Sequence, residues 1–149
     1  MRAAIIYSSK TGNTEEVIQL LWRLFLEKQV QAECFRIEEF PIEDLNDYNA
    51  VVIGTYTWGN GEIPREMQAI YQVFETRNVK ELVTGVVGTG DTCYPQFCGA
   101  VNKFRDMLFV QTNLAVTLKI ELAPQIEDYA RCQKFVELIL NRVKKQQYH

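Results

Sequence analysis

The chain has 149 residues, of which 47% are hydrophobic and 23% charged, with a formal net charge of −3. That is the length of one domain with a sizeable core, and the composition expected of a soluble globular chain. The acidic balance argues against a nucleic-acid binder, and no apolar run approaches the ~20 residues of a membrane-spanning helix.

Residues 3–7, Ala-Ala-Ile-Ile-Tyr, read as a short buried strand. The N-terminus runs straight into it without the small-residue cleavage site of a signal peptide, so a cytoplasmic protein is expected. Apolar spacing then changes: Val17, Leu20, Leu21, Leu24 and Phe25 recur at three and four, the period of an amphipathic helix. Glu15 and Glu16 near its start and Lys28 near its end suit the helix dipole. Residues 32–37 read as a second strand, followed by a polar stretch, Glu38–Asp47, interrupted by Pro41.

Residues 50–55 form an apolar run of the kind buried on both faces of a sheet. Thr57-Trp58-Gly59-Asn60-Gly61 is a turn signal, and Pro64 fits the first turn of a helix to about residue 76. A fourth strand over 82–89, a loop from Thr89 to Pro95, a helix over 97–111 and a strand over 114–122 follow. The last helix opens near Glu127 and Asp128 and closes near Lys144 and Lys145. Strands alternating with helices imply right-handed crossovers and a parallel sheet, here a five-stranded, doubly wound α/β domain.

The four cysteines, Cys34, Cys93, Cys98 and Cys132, form no C-x-x-C pair, and the single histidine is His149. No zinc site is expected, and reduced thiols that pack are the better reading, including for Cys93 and Cys98. The basic end with Arg142, Lys144 and Lys145 reads as a solvated helix terminus.

Chemistry concentrates in the loops. Ser9-Lys10-Thr11-Gly12-Asn13-Thr14 joins the first strand to the first helix, where unpaired backbone N–H groups favour an anion. Ser9, Thr11 and Thr14 add hydroxyl donors, and Gly12 lets the backbone bend close to a ligand. A Walker loop needs Gly-Lys-Ser/Thr, which is absent, and after Gly88 and Gly90 the dinucleotide fingerprint meets Cys93 at its third glycine. Taken alone, the segment fits a phosphate loop or an ordinary Ser/Thr-capped helix equally well. Trp58, between apolar strand and glycine-rich turn, and Tyr94, in the equivalent loop after the fourth strand, add two aromatic rings that can sandwich a planar ligand.

Along nearly its whole length the chain resembles a flavodoxin. Ser9–Thr14 matches that family's Thr/Ser-x-Thr-Gly-x-Thr phosphate loop, Gly54–Gly61 resembles its first isoalloxazine loop and Gly88–Val101 its second. The resemblance implies a three-layer, flavodoxin-like sandwich of strand order 2-1-3-4-5, which makes neighbours of the three strands bearing these loops. It implies the short-chain type, because residues 114–122 leave no room for an insertion in strand five.

It also implies non-covalently bound FMN and roles for particular residues. Ser9, Thr11, Asn13 and Thr14 would hold the phosphate; in the same cofactor-binding loop Gly12 brings the backbone close, and Lys10 could touch the phosphate, although such a side chain more often points to water. Trp58 and Tyr94 would stack on opposite faces of the ring, with Tyr56 and Thr57 beside them. Thr89, Gly90, Asp91, Phe97 and Cys98 would line the pyrimidine edge. The Gly59 carbonyl would turn to accept the N5 hydrogen of the one-electron-reduced flavin. A ring between aromatics, without close cations, is expected to take its second electron reluctantly. Many flavodoxins carry an aspartate where Asn60 stands. The family implies a monomeric electron carrier without substrate turnover of its own, with ferredoxin/flavodoxin-NADP reductase as donor and an acceptor protein that the sequence does not name. Glu38, Glu39, Glu43, Asp44 and Asp47, extended by Glu62 and Glu66, form a candidate acidic docking patch beside the flavin loops.

Flavin-binding activators of ribonucleotide reductase share the phosphate loop but tend to be shorter and to lack the two aromatics. FMN-dependent quinone reductases of the same fold are oligomers with extra loops around a substrate pocket, for which this length leaves little room.

Overall fold

All five strand segments enter one parallel sheet in the computed structural model, which describes residues 1–147. The strands are β1 (Arg2–Tyr7), β2 (Gln31–Arg36), β3 (Ala50–Thr55), β4 (Val83–Gly90) and β5 (Asn113–Glu121), in the order β2-β1-β3-β4-β5. Helices α1 (Asn13–Glu27), α2 (Gln68–Thr76), α3 (Gly99–Gln111) and α4 (Tyr129–Gln147) make the crossovers. β3 is buried throughout, as its unbroken apolar run requires.

Two cores lie against the two faces of the sheet. Ile18, Leu21 and Phe25 of α1 meet Phe135 and Ile139 of α4 on one side. Ile70 and Phe74 of α2 meet Phe104 and Leu108 of α3 on the other. The three-layer arrangement therefore places the loops after β1, β3 and β4 side by side at the carboxyl edge, where the order reverses between β1 and β3. β5 is uninterrupted.

Several boundaries move, each for a local reason. Pro64 is extended (φ −54°, ψ 144°), and a 3-10 turn, Arg65–Met67, precedes α2. Helix α3 begins at Gly99 rather than at residue 97, because Cys98 holds a left-handed backbone (φ 52°). A 3-10 turn over Ile126–Asp128, with Gln125 and Asp128 capping each other, opens the last helical segment.

The polar stretch after β2 folds as two 3-10 turns, Ile37–Glu39 and Ile42–Asp47, pinned by buried Ile37, Phe40 and Leu45. It runs from the carboxyl edge, where β2 ends, to the amino edge, where β3 begins. The pKa of Arg2 is raised mainly by its bond to Glu33, with Asp47 near enough to add to it, and that of Tyr48 mainly by desolvation, with Asp44 near enough to add to it. The acidic residues expected as one patch are thus divided between opposite edges of the sheet.

The basic end is also less solvated than expected. Arg142 donates to Asn113 Oδ1 at 2.6 Å and to the Leu114 carbonyl at 3.0 Å, while Lys144 and Lys145 are exposed and His149 lies outside the described residues. Cys98 and Cys132 are buried, Cys93 is exposed, and all four thiols are free. Among the described residues no helix is long and apolar enough to cross a membrane, and no His/Cys/Asp/Glu group is placed to hold a metal ion.

Candidate functional site

The first loop ends in a helix whose N-cap is Gly12, in the left-handed region (φ 95°) and without a side chain to cap the amides above it. Ser9 supplies part of what is missing: its Oγ accepts the Gly12 N–H at 3.1 Å and, at 3.4 Å, that of Glu15. Among the described residues the amides of Thr11, Asn13 and Thr14 find no acceptor within the protein. Three unpaired donors stand at the start of a 15-residue helix, where an anion is favoured. Thr14 points away from that position: it is buried, and its hydroxyl bonds the Thr89 hydroxyl at 2.8 Å, tying the loop to β4.

The second loop is a tight hairpin. Trp58 and Glu62 exchange both backbone bonds, at 2.8 and 2.7 Å, across Gly59 (φ 51°), Asn60 and Gly61 (φ 91°). Its root is fixed by Glu66, whose Oε2 accepts the Ser8 hydroxyl at 2.7 Å and the Tyr56 phenol at 2.9 Å. Partial desolvation pushes the Glu66 carboxyl up, but the Ser8 bond, a backbone bond and the Tyr56 bond outweigh it and hold the pKa below the usual value. Desolvation and the same carboxylate push the Tyr56 phenol up to about 12.

The third loop is tied at both ends. Asp91 Oδ1 accepts the Cys93 N–H at 2.8 Å, Gly90 O accepts the Leu122 N–H at 2.7 Å, and Thr92 bonds Glu121. Thr57 Oγ1 accepts the Ala100 N–H at 3.2 Å and so joins the second loop to the first turn of α3. Burial pushes the Cys98 thiol up to about 11, which keeps it a protonated packing group.

Between the three loops opens a cavity of about 480 Å³, within the range of cofactor pockets. Lys10, Thr11, Asn13, Tyr56, Thr57, Trp58, Gly59, Thr89, Gly90, Asp91, Tyr94 and Cys98, all anticipated from the sequence, line it. Ser9, Gly12, Thr14 and Asn60 stand behind or beside it, and Phe97 packs against the core between the sheet and α3. Trp58 is 49% and Tyr94 66% exposed, although the fully buried aromatic side chains sit in the two cores. Two large rings left open on facing loops are what a flat ligand would cover.

Sequence reasoning missed Gln96 and Leu122 in the lining, and Ser8 and Glu66 beneath it. Leu122 follows β5 directly, so the strand order alone could have placed it next to the loop after β4. Lys10 departs from expectation: its Nζ lies 3.9 Å from the Trp58 ring centroid, so the site has a close cation.

An anion cradle beside a ring-sized slot, at the switch point of a doubly wound sheet, defines the class: an α/β protein built for a phosphorylated, planar cofactor. The Flavodoxin family model matches residues 5–134. "Probable flavodoxin 1" of Bacillus subtilis (strain 168) is 38% identical over 138 residues, covering 90% of this chain and 87% of that one. The flavodoxin of Maridesulfovibrio salexigens is 31% identical, over 85% of this chain and 90% of its own. The solved flavodoxin of Streptococcus pneumonia TIGR4 superposes with a TM-score of 0.88 at 30% identity, covering 95% of this chain and 99% of that one. The chain belongs to the flavodoxin family. It is of the short-chain type and binds FMN to carry electrons.

Proposed function

We propose that this chain is a low-potential electron carrier that works as a cytoplasmic single-domain monomer. It would accept electrons from ferredoxin/flavodoxin-NADP reductase and pass them to a separate acceptor protein, with no substrate turnover of its own. The observation that carries this reading is the pair of half-open rings, Trp58 and Tyr94, facing one cavity beside unpaired helix amides. A cofactor lying there has an edge at the surface, within reach of a partner's redox centre.

When bound, FMN supplies the one-electron chemistry, and the chain sets where it sits and at what potential. The amides of Thr11, Asn13 and Thr14, with the Thr11 hydroxyl and the Asn13 side chain, hold the phosphate. Ser9, Gly12 and buried Thr14 shape that loop. Trp58 and Tyr94 take the faces of the ring, and Gly90, Asp91 and Cys98 its pyrimidine edge. The Gly59–Asn60 peptide is free to turn, since Gly59 has open space around its Cα and already holds positive φ. The monomer is supported by the guarding of edge strand β5: Arg142 covers the Leu114 carbonyl, Arg131 covers the Lys119 carbonyl at 2.7 Å, and the register slips opposite Thr84/Gly85.

The test is reconstitution and stepwise reduction under anaerobic conditions. One FMN per chain and two resolved one-electron steps are expected, together with reduction by NADPH only when the reductase is present. A chain that binds no flavin, or one that reduces quinones with NAD(P)H unaided, would overturn the proposal.

Asn60 offers a sharper measurement. A carboxylate at this exposed position repels the negative charge that arrives with the second electron. Asn60→Asp is expected to lower the second reduction potential by the equivalent of an exposed charge interaction, about 0.2–1 kcal/mol, or roughly 10–40 mV. A redox titration in low salt with an unchanged or raised second potential would remove Asn60 from the tuning of the site.

A further inference from the structure

Lys10 is the one basic residue lining the cavity among the described residues. It belongs by sequence to the anion loop, yet its side chain leaves that loop and crosses to the next. The ammonium lies over the indole of Trp58, 3.9 Å from the ring centroid, a distance at which the ring quadrupole attracts a cation. The Trp58 backbone is held by two bonds to Glu62, and the Lys10 ammonium lies near enough to Glu66 to add to the Ser8, backbone and Tyr56 bonds that hold that carboxyl below the usual range. Glu66 in turn is anchored by Ser8 and Tyr56. The other charged residue in the lining is Asp91, and its Oδ1 already accepts the Cys93 N–H.

We propose that Lys10 tunes the cofactor's potential instead of holding its phosphate: parked on Trp58, its ammonium stabilises the negative charge that the ring acquires with the second electron. The inference rests on FMN being the cofactor. Its physics is short range. A ring stacked on the indole face opposite Lys10 lies one further van der Waals contact of about 3.5–4 Å away, so a cation against the indole stays within about 8 Å of the ring. A ring lying between Trp58 and Tyr94 would displace water from the gap, so the attraction is screened less than at an open surface. The same charge offsets part of the penalty that the aromatic walls impose on a reduced, anionic ring. Lys10 is thus a positioning and electrostatic residue, not one that exchanges electrons or protons.

The full chain, as wild type, Lys10→Met and Lys10→Arg, is loaded with FMN and separately with riboflavin, which lacks the phosphate. Methionine keeps an unbranched apolar stem against Trp58 and removes only the charge. Both potentials are measured by spectroelectrochemistry, and both flavin affinities by fluorescence quenching. Lys10→Met is expected to reduce the equilibrium constant for adding the second electron about tenfold, which is about 59 mV in a one-electron step. The first potential should move much less, and Lys10→Arg should restore the second. The affinities of the oxidised flavins, FMN and riboflavin, should change together and by no more than about fivefold, the scale of one exposed cation–π contact.

An unchanged second potential in flavin-loaded Lys10→Met would overturn the proposal. So would a selective loss of FMN affinity with riboflavin unaffected, because that is the behaviour of a phosphate ligand. A wild-type chain that binds neither flavin would instead overturn the FMN reading on which the proposal stands.

Discussion

Trp58→Ala is expected to weaken FMN binding roughly 30–150-fold, the equivalent of about 2–3 kcal/mol for a lost aromatic stack with its buried area. The indole lines the cavity, is 49% exposed and belongs to neither hydrophobic core; Lys10 lies over one of its faces, which leaves the other for a ligand. Its truncation should therefore leave the flavin-free chain almost as heat-stable as before. Trp58→Phe should recover most of the affinity, since a smaller ring still stacks. Tyr94, more exposed at 66%, has less of its surroundings fixed, and Tyr94→Ala should cost less than Trp58→Ala. Flavin fluorescence titration gives the affinities, and thermal unfolding without flavin gives the control. If Trp58→Ala lowered the melting temperature of the flavin-free chain while FMN bound as tightly as before, the indole would be a structural residue and the assignment of the slot would be lost.

The split between what could and could not be read from the sequence follows the range of the forces involved. The apolar run Ala50–Ile53 announces a strand buried on both faces, because no other local structure hides four such residues in a row so cheaply. The Ser9–Thr14 loop and the Trp58 turn announce ligand contacts, because their composition is poor for a core and rich in donors and glycine. Strand order then brings the loops together, and most of the lining follows. Lys10 was beyond this reasoning: a lysine in a loop has many rotamers of similar energy, and the contact that selects one is made with Trp58, far along the chain. Glu66 reads from the sequence as part of a charged surface because its partners, Ser8 and Tyr56, lie 58 and 10 residues away along the chain. The acidic run misled for a related reason. Neighbours in sequence are not neighbours in space here: the chain between β2 and β3 must climb from one edge of the sheet to the other, and it carries Asp44 and Asp47 away from the site.

Gly99→Ala is the second large effect, and it acts on the site from behind. A Cβ at residue 99 would lie 2.6 Å from the Gly61 Cα and 2.9 Å from the Gly61 carbonyl oxygen. These are backbone atoms, so no side chain can swing aside. The second loop and the first turn of α3 touch main chain to main chain here, and the Thr57–Ala100 bond at 3.2 Å runs beside the contact. An added methyl must push something, at a cost of about 1–3 kcal/mol for overpacking, partly offset by the better helix propensity of alanine. Helix α3 is held by buried Val101, Phe104 and Leu108, so it will not yield. The hairpin 58–62 is held by its own two backbone bonds and carries exposed Gly59 and Asn60, so it yields as a unit and takes Trp58 away from Tyr94. The expected result is a melting temperature lower by roughly 2–10 °C and an FMN affinity reduced at least about tenfold, as for a displaced aromatic stack. The affinity loss should exceed what the stability loss accounts for, which a titration at a temperature well below the transition can establish. Full FMN affinity in a measurably destabilised Gly99→Ala chain would mean that this backbone contact supports the fold but does not set the width of the slot.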